Sequence, residues 1–312
     1  MEAAEPERAT VCVTGAGGFL ASWLVKLLLS TGRYAVRGTV RDPGVGKNAH
    51  ITALEGAGER LRLVKADMLD YRSVASAVDG CQGVLHVASH VPSGKSSNPE
   101  ADVIAPAVTG TLNVLKACHE AKVKRVVVFL LCSIIPTGLK ARPSLRTAGQ
   151  MRKREAFAYA AKTGLDVITV CPALVIGPLM QSTVNTSAKV FLGYIKGGEH
   201  SISTRDQETV QNGPKHLVDV RDVADALLLV YENPQASGRY LCNSTAIRVS
   251  DIVNILKTSY PSSYTYPQNF VEVEGSYTYN TEKLRNLGWA SRPMEETLRD
   301  SFECYQALGI PN

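Results

Sequence analysis

Residues 9–29, ATVCVTGAGGFLASWLVKLLL, contain the most informative pattern in the chain. Ala9–Thr14 is apolar and β-branched, which predicts a strand, and Gly18–Ser30 has the apolar spacing of a helix. The apolar face of that helix carries Leu20, Leu24, Leu27 and Leu28. Glycines between the two elements let the backbone turn tightly. Strand, glycine turn and helix in this order predict the start of an α/β fold.

The same alternation continues through the first half of the chain. Apolar runs predict further strands at Tyr34–Val40, Arg60–Lys65, Gly83–Val87, Arg125–Leu131 and Leu165–Cys171. The helices predicted between them are Tyr71–Val78, Pro99–Ala121 and Thr147–Lys162. Strands that are apolar on both faces and separated by helices indicate a parallel sheet covered on both sides. The prediction is a doubly wound parallel sheet.

The pattern changes after Pro172, where Gly and Pro recur and strand signals become sparse. This change predicts a smaller C-terminal substrate lobe. We expect residues 1–175 with 215–245 to form the dinucleotide-binding domain, and residues 176–214 with 246–312 to form the lobe.

Composition excludes several classes of protein. The chain has 312 residues, 45% apolar and 20% charged, which argues against disorder, collagen and coiled coil. The formal charge of +5 is scattered, so we expect neither nucleic acid nor a membrane as partner. No apolar run approaches the roughly 20 residues of a membrane helix, and the acidic start lacks a secretory signal. Seven cysteines far apart in sequence, without metal-ligand spacing, predict reduced thiols, no metal and a cytoplasmic protein.

The glycine turn is a candidate phosphate site. Its glycines allow a close backbone approach to a pyrophosphate, whose charge is favoured at the N-terminus of the next helix. Such turns also serve purely in packing, but the position between first strand and first helix favours the nucleotide. The spacing Gly15-x-x-Gly18-x-x-Ala21 is typical of the short-chain dehydrogenase class.

Two cations after the second strand bear on the choice of cofactor. An NAD site usually has an Asp or Glu there, whereas this strand is followed by Arg41, with Lys47 further on. A guanidinium binds a 2′-phosphate bidentately, and a nearby ammonium adds charge, so NADP(H) is favoured. Alternatively, Arg41 and Lys47 are solvated loop charges, with Asp42 beside Arg41.

Two further polar residues follow or end strands. Asp67 follows the third strand and is a candidate acceptor for the adenine amine, or an exposed loop carboxylate. The run His86-Val87-Ala88-Ser89 closes the fourth strand at the carboxyl edge of the sheet, where ligands bind in this architecture. A packed strand histidine is the favoured interpretation of His86.

Several separate segments resemble plant cinnamoyl-CoA reductase-like proteins, which are extended short-chain dehydrogenases related to dihydroflavonol reductases. They include VCVTGAGGFLASWLVKLLL, CQGVLHVAS, PAVTGTLNVLKAC, LDVITVCPALVIGPLMQSTVN and HLVDVRDVADALLLVYE. The resemblance covers Val11–Ser133 and Arg154 to near the C-terminus. It implies a Rossmann fold, NADPH, and reduction of a hydroxycinnamoyl-CoA thioester to the aldehyde in phenylpropanoid and lignin metabolism of the plant cytosol.

The resemblance also implies roles for residues along the cofactor. It assigns the pyrophosphate to Gly15, Gly18, Phe19 and Leu20, the 2′-phosphate to Arg41 and Lys47, and the adenine to Asp67 and Met68. It assigns the ribose and nicotinamide path to Val87, Ala88 and Ser89, and the nicotinamide end to Pro172, Ala173, Leu174 and Val175. Asn113 matches a buried Asn that braces the active site; a helix-interior amide without that role is an equal alternative.

The catalytic segment of the family does not carry over. The resemblance implies an Asn-Trp-Tyr-Cys run with Lys four residues after the Tyr, where the Tyr protonates the developing oxyanion and the Lys holds the ribose. Counting back from Arg154 places Leu145 at the Tyr position and Gly149 at the Lys position. Neither residue exchanges a proton.

No other residue replaces the pair convincingly. Ser133 is a candidate for the catalytic Ser, although a plain strand-end Ser is the favoured interpretation. Tyr159 and Lys162 match non-catalytic positions near a helix end, where packing and a C-terminal cation are expected. The segment IIPTGLKARPSLRTAGQMRK, residues 134–153, resembles nothing in the family. We hypothesise a splice variant or an incomplete gene model, which a transcript showing no longer form would contradict.

Three functions remain open at this stage. The first is an NADPH-dependent reductase of the cinnamoyl-CoA reductase-like family, impaired by loss of the Tyr-x-x-x-Lys pair. The second is an inactive NADP(H)-binding or regulatory protein. The third is an incomplete splice product, whose apolar run VVVFLLCSII would be exposed and promote aggregation. A small-molecule substrate is expected, and either a monomer or a homodimer.

Overall fold

A computed structural model describes residues 8–44, 46–89, 98–130, 143–196, 209–261, 266–273 and 278–310. The strands in these ranges are β1 Ala9–Thr14, β2 Tyr34–Val40, β3 Leu61–Lys65, β4 Gly83–His86, β5 Arg125–Phe129, β6 Val167–Pro172, β7 Leu174–Ile176, β8 Thr209–Asn212, β9 Pro214–Asp219, β10 Gly238–Cys242, β11 Thr245–Arg248 and β12 Asn269–Glu272. The α-helices are α1 Phe19–Ser30, α2 Ala49–Thr52, α3 Ala57–Arg60, α4 Tyr71–Val78, α5 Ala105–Glu120, α6 Pro143–Thr163, α7 Thr186–Lys196, α8 Val220–Glu232, α9 Val249–Ser259, α10 Glu282–Arg285 and α11 Met294–Ala307.

Seven strands form the central sheet, in the order β3-β2-β1-β4-β5-β6-β10. Every neighbouring pair in this sheet is parallel. The strand order reverses between β1 and β4, which places a crevice at their carboxyl ends. The predicted doubly wound α/β sheet is confirmed.

Alternate residues of each strand supply two cores, one on either face of the sheet. Val11 and Val13 of β1 pack in the core formed with α1 and α8. Cys12, between them, packs in the opposite core with α4, α5 and α6. Burial on both faces explains why these strands are apolar throughout, since each fully buried aliphatic side chain contributes roughly 1.5–3 kcal/mol.

The C-terminal part of the chain builds a second core of its own. A three-stranded sheet β11-β9-β7 and a two-stranded pair β12-β8 accompany α7, α9 and α11. Their buried residues include Phe191, Leu217, Val249, Phe302 and Tyr305. These strands carry few signals in the sequence because they are only three to six residues long and lie among Gly and Pro. The exact domain boundaries stay a prediction.

Two helices differ from their predicted bounds. α6 begins at Pro143, four residues before the predicted start at Thr147, because the fixed φ of proline suits the first turn of a helix. A π-helical turn, Glu100–Ile104, precedes α5 inside the region predicted as one helix. Among the described residues, no helix is long and apolar enough to span a membrane.

The apolar run after residue 125 is part of the sheet interior. Val126–Leu130 is buried in this fold, whereas aggregation through an exposed run stays a prediction for an incomplete product. The rest of that run lies outside the described ranges. The six cysteines within those ranges are free thiols, as expected.

Candidate active site

The glycine turn lies against the ends of three neighbouring strands. Gly15 has φ +69°, and its carbonyl accepts from the Gly18 amide at 2.9 Å. The Gly15 amide donates to the Thr39 hydroxyl at 3.0 Å, which fixes the turn to β2. A Cβ on Gly15 would lie 3.2 Å from Ala88, beyond the end of β4. Both the left-handed backbone and this close approach require glycine.

The first turn of α1 is open to an anion. Gly18 is the exposed N-cap residue, no side chain caps the helix, and no acidic residue lies in its first turn. The orphan amides and the helix dipole therefore favour a negatively charged group, which fits the predicted pyrophosphate. Leu20 is buried and Phe19 is half-buried against both cores, so the backbone rather than these side chains faces the turn.

Arg41 and Lys47 lie exposed on the loop after β2. Within the described residues, neither side chain forms an ion pair, and Asp42 instead accepts from the Gly44 amide. Their charges are therefore available to a phosphate ligand, as the NADP(H) prediction requires.

Asn48 connects this loop to the glycine turn, a role that the sequence did not reveal. It is buried, and its amide donates to the Asp42 carbonyl at 2.8 Å. A Cβ on Gly17 would lie 2.7 Å from the Asn48 side-chain oxygen. Asn48 therefore couples the position of the loop cations to that of the turn.

The candidate adenine residues form a turn after β3. Asp67 is exposed, and one of its carboxylate oxygens accepts from the Leu69 amide at 2.9 Å. Met68 is half-buried, and its carbonyl accepts from the Asn113 side chain at 2.9 Å. Asn113 is half-buried rather than buried, and it braces this turn.

The segment after β4 lies along the carboxyl edge of the sheet, like the glycine turn. Val87 is buried, whereas Ala88 and Ser89 are half-buried at the edge. The Thr14 hydroxyl accepts from the Ala88 amide at 3.0 Å, which holds the segment beside the glycine turn. The structure thus brings together the residues predicted for the pyrophosphate and the ribose.

The candidate residues at the nicotinamide end lie deeper in the protein than the segment after β4. Pro172 ends β6 and Val175 lies in β7, and both are buried. The amide of Ala173 donates to the Cys242 carbonyl at 2.9 Å, so this backbone belongs to the sheet interior, while Leu174 is half-buried.

A buried arginine lies beside this edge, and the sequence did not predict it. Arg152 on α6 is 2% exposed. Its guanidinium donates to the Thr111 hydroxyl at 2.7 Å, the Ser89 hydroxyl at 3.2 Å and the Ala88 carbonyl at 3.4 Å. A further bond joins it to Nε2 of His86 at 3.3 Å. Arg152 therefore connects α6, α5 and the end of β4.

The contacts of His86 define its protonation. Because Nε2 faces the guanidinium, it must accept, and the proton assigned from this network resides on Nδ1, 2.8 Å from the Thr14 hydroxyl. Burial, and secondly the charge of Arg152, hold the pKa of His86 well below its ordinary value. The packed strand histidine that the sequence predicted is confirmed, and it stays neutral.

Where the structure describes the residues considered for proton transfer, it does not bring them together in one catalytic group. Gly149 is buried within α6, Leu145 lies in the first turn of that helix, and Ser133 lies outside the described residues. Tyr159 is half-buried, packed edge-on to His119 at the far end of α5. Lys162 is exposed in the last turn of α6, which agrees with the C-terminal helix cation that the sequence predicted. No cluster of metal-ligating side chains occurs in the part of the chain that the structure describes.

Comparisons with known proteins agree with this geometry. The model of the NAD dependent epimerase/dehydratase family matches residues 11–243. Cinnamoyl-CoA reductase 1 of Petunia hybrida is 40% identical, over 96% of this chain and 92% of that protein. Dihydroflavonol 4-reductase of Zea mays is 36% identical, over 95% of this chain and 87% of that protein.

A solved structure shares the fold. Vestitone reductase from alfalfa superposes with a TM-score of 0.79 at 25% identity, covering 97% of this chain and 100% of that one. The resemblance seen in the separate sequence segments is confirmed. The chain belongs to the NAD dependent epimerase/dehydratase family, and within it to the cinnamoyl-CoA reductase-like NAD(P)-dependent reductases.

Proposed function

We propose that this chain binds NADPH and is an impaired reductase of hydroxycinnamoyl-CoA thioesters, acting in phenylpropanoid metabolism in the cytoplasm. The observation that supports the proposal is a contrast within one site, between the elements that would bind the cofactor, which are present, and the residues for proton transfer, which are not. The glycine turn, the open end of α1 and the two loop cations are all present. α6, at the other side, carries a buried glycine at position 149, where the family has its Lys.

Each retained element has a definite task. NADPH, when bound, supplies the hydride. The first-turn amides of α1 bind its pyrophosphate, and Arg41 and Lys47 distinguish its 2′-phosphate from a hydroxyl. These contacts do not involve positions 145 and 149, so binding of the pyrophosphate and the 2′-phosphate is expected to survive their change. Only the ribose contact made by the family's Lys is lost, which weakens NADPH binding without abolishing it.

Proton transfer is the step that this chain performs poorly. Reduction of a carbonyl leaves an oxyanion that must be stabilised or protonated, and neither Leu145 nor Gly149 has a proton to exchange. Loss of a positioned general acid lowers the rate by about 10²–10⁴-fold.

The second candidate is an inactive NADP(H)-binding protein. The hydrogen bonds of Arg152 to Thr111 and His86 favour it, because they hold α6 at the carboxyl edge of the sheet without the catalytic pair. In this case NADPH binds and no thioester is consumed at any enzyme concentration.

The test uses the purified chain in two assays. Fluorescence titration with NADPH and NADH measures binding, and loss of NADPH absorbance with feruloyl-CoA measures turnover beside the Petunia reductase. We expect NADPH to bind more tightly than NADH, with turnover at least about 10²-fold below the relative. Turnover equal to that of the relative would refute the impairment, and failure to bind NADPH would refute both candidates.

A further inference from the structure

The guanidinium of Arg152 is a buried positive charge without a counter-ion. Among the described residues, no carboxylate pairs with it, and burial lowers its pKa to about 10, so it remains charged at neutral pH. Removing such a charge from water is costly unless it is compensated. Its four hydrogen-bond acceptors in the described chain are all neutral, so they compensate it only in part.

This charge lies at the carboxyl edge of the sheet, beside the predicted cofactor site. Two of its acceptors, the Ala88 carbonyl and the Ser89 hydroxyl, lie just beyond the carboxyl end of β4. This is the edge where doubly wound sheets bind their ligands. Ala88 also abuts the glycine turn, as the 3.2 Å approach at Gly15 shows.

Ser89 connects the buried charge to the accessible side of the site. Its oxygen accepts from Arg152, and no hydrogen bond within the described residues uses its own proton. Unlike Arg152, Ser89 is half-exposed. A hydroxyl that accepts from a cation becomes a stronger donor, because the two bonds polarise each other.

We propose that Arg152, acting through Ser89, is a positioning residue for the nicotinamide half of the dinucleotide. The guanidinium polarises the Ser89 hydroxyl, which donates to an oxygen on that half of the ligand. No bond is made or broken in this role. The inference rests on the proposed function, since it requires that the chain bind a nicotinamide dinucleotide.

The test compares two ligands that share only the adenosine half. NADPH contains the nicotinamide half, whereas 2′,5′-ADP lacks it. We expect Arg152→Met to weaken NADPH binding up to about tenfold, the scale of one ordinary hydrogen bond, and to leave 2′,5′-ADP binding within about twofold. Arg152→Lys should recover part of the affinity for NADPH. Arg154→Met, an exposed arginine on the same helix, is the matched control.

A second variant keeps the test valid if Arg152→Met unfolds. Ser89 lies at the carboxyl edge of the sheet. Ser89→Ala should weaken the binding of NADPH by a similar factor and leave the binding of 2′,5′-ADP unchanged. Adding Arg152→Lys to Ser89→Ala should produce no further loss, because both act through one bond. Thermal unfolding without ligand reports the structural contribution separately.

The outcomes separate the two proposals. If the unaltered chain binds both ligands and each variant weakens them equally, or weakens neither, Arg152 is a structural link and the inference is wrong. If the unaltered chain binds neither ligand, the proposed function itself is wrong. Selective loss of NADPH affinity in the Arg152 and Ser89 variants supports both.

Discussion

The side-chain amide of Asn113 donates a hydrogen bond to the Met68 carbonyl, 2.9 Å away, and joins α5 to the turn after β3. Gly110, one turn earlier on α5, allows this approach, because a Cβ there would lie 3.1 Å from that of Met68. Asn113 thus supports the predicted adenine side of the site through the backbone of this turn.

Asn113→Ala should loosen the turn after β3. Loss of one hydrogen bond lowers the free energy of unfolding by about 1 kcal/mol. Because the turn carries Asp67 and Met68, we also expect 2′,5′-ADP to bind several-fold more weakly. Asn254→Ala, at an exposed site on α9, is the control for chemical denaturation and titration. Unchanged 2′,5′-ADP binding would show that this turn is remote from the adenine.

Gly15→Ala should damage both the fold and the cofactor site. A left-handed residue with a Cβ costs roughly 1–2 kcal/mol, and contact with Ala88 at 3.2 Å adds to this cost. Gly32→Ala is the matched control, since Gly32 has φ +70° but open space around its Cβ position. Denaturation should show a larger loss for Gly15→Ala, and only this variant should lose NADPH affinity. Equal effects of the two variants on binding would contradict a ligand role for the turn.

Arg41→Met should remove the preference for NADPH over NADH. A guanidinium bound to a phosphate contributes about 1.5–3 kcal/mol, so NADPH affinity should fall about 10- to 100-fold while NADH affinity stays constant. Arg62→Met, at an exposed arginine on β3, should change neither affinity. If Arg41→Met leaves the ratio of the two affinities intact, Arg41 is only a solvated loop charge.

The neutral His86 should make stability depend on pH below about 6.5, the ordinary pKa of histidine. Burial and Arg152 depress its pKa in the folded state, so below 6.5 the unfolded chain binds a proton that the folded chain does not. Stability is therefore full above this pH and falls as the pH decreases, by about 1.4 kcal/mol per unit. His86→Gln should flatten this slope in denaturant titrations between pH 6.5 and 5. His119→Gln, at an exposed site, should keep it; an unchanged slope in His86→Gln would contradict the assignment.

Much of the fold was predictable because its signals are local. Apolar strands such as β4 and β6 are buried at every position, and the glycine turn lies where strand and helix meet. The early start of α6 at Pro143 was also predictable, since proline favours the first turn of a helix. The small lobe was harder to predict from the sequence, because its short strands are defined by pairing between distant segments.

Arg152 and Asn48 were missed for a different reason. Arg152 lies in the run Met151–Arg154, and consecutive cations in a helix normally indicate a solvated face. Its burial depends on Thr111 and His86, which lie 41 and 66 residues earlier in the chain. Asn48 likewise matters only because the chain returns beside Gly17. No local pattern encodes such contacts, whereas the cofactor turn is encoded in one continuous segment.

We propose that the cofactor site is intact while proton transfer is impaired. The most direct test measures NADPH oxidation with feruloyl-CoA by this chain, beside a version in which residues 134–153 are replaced with the corresponding segment of the Petunia reductase. We predict that both proteins bind NADPH, the replaced version more tightly because it regains the Lys that holds the ribose, and that turnover is about 10²–10⁴-fold faster in the replaced version. Equal turnover would contradict the claim and would show that another group in this chain, with Tyr159 the first to examine, completes the reaction.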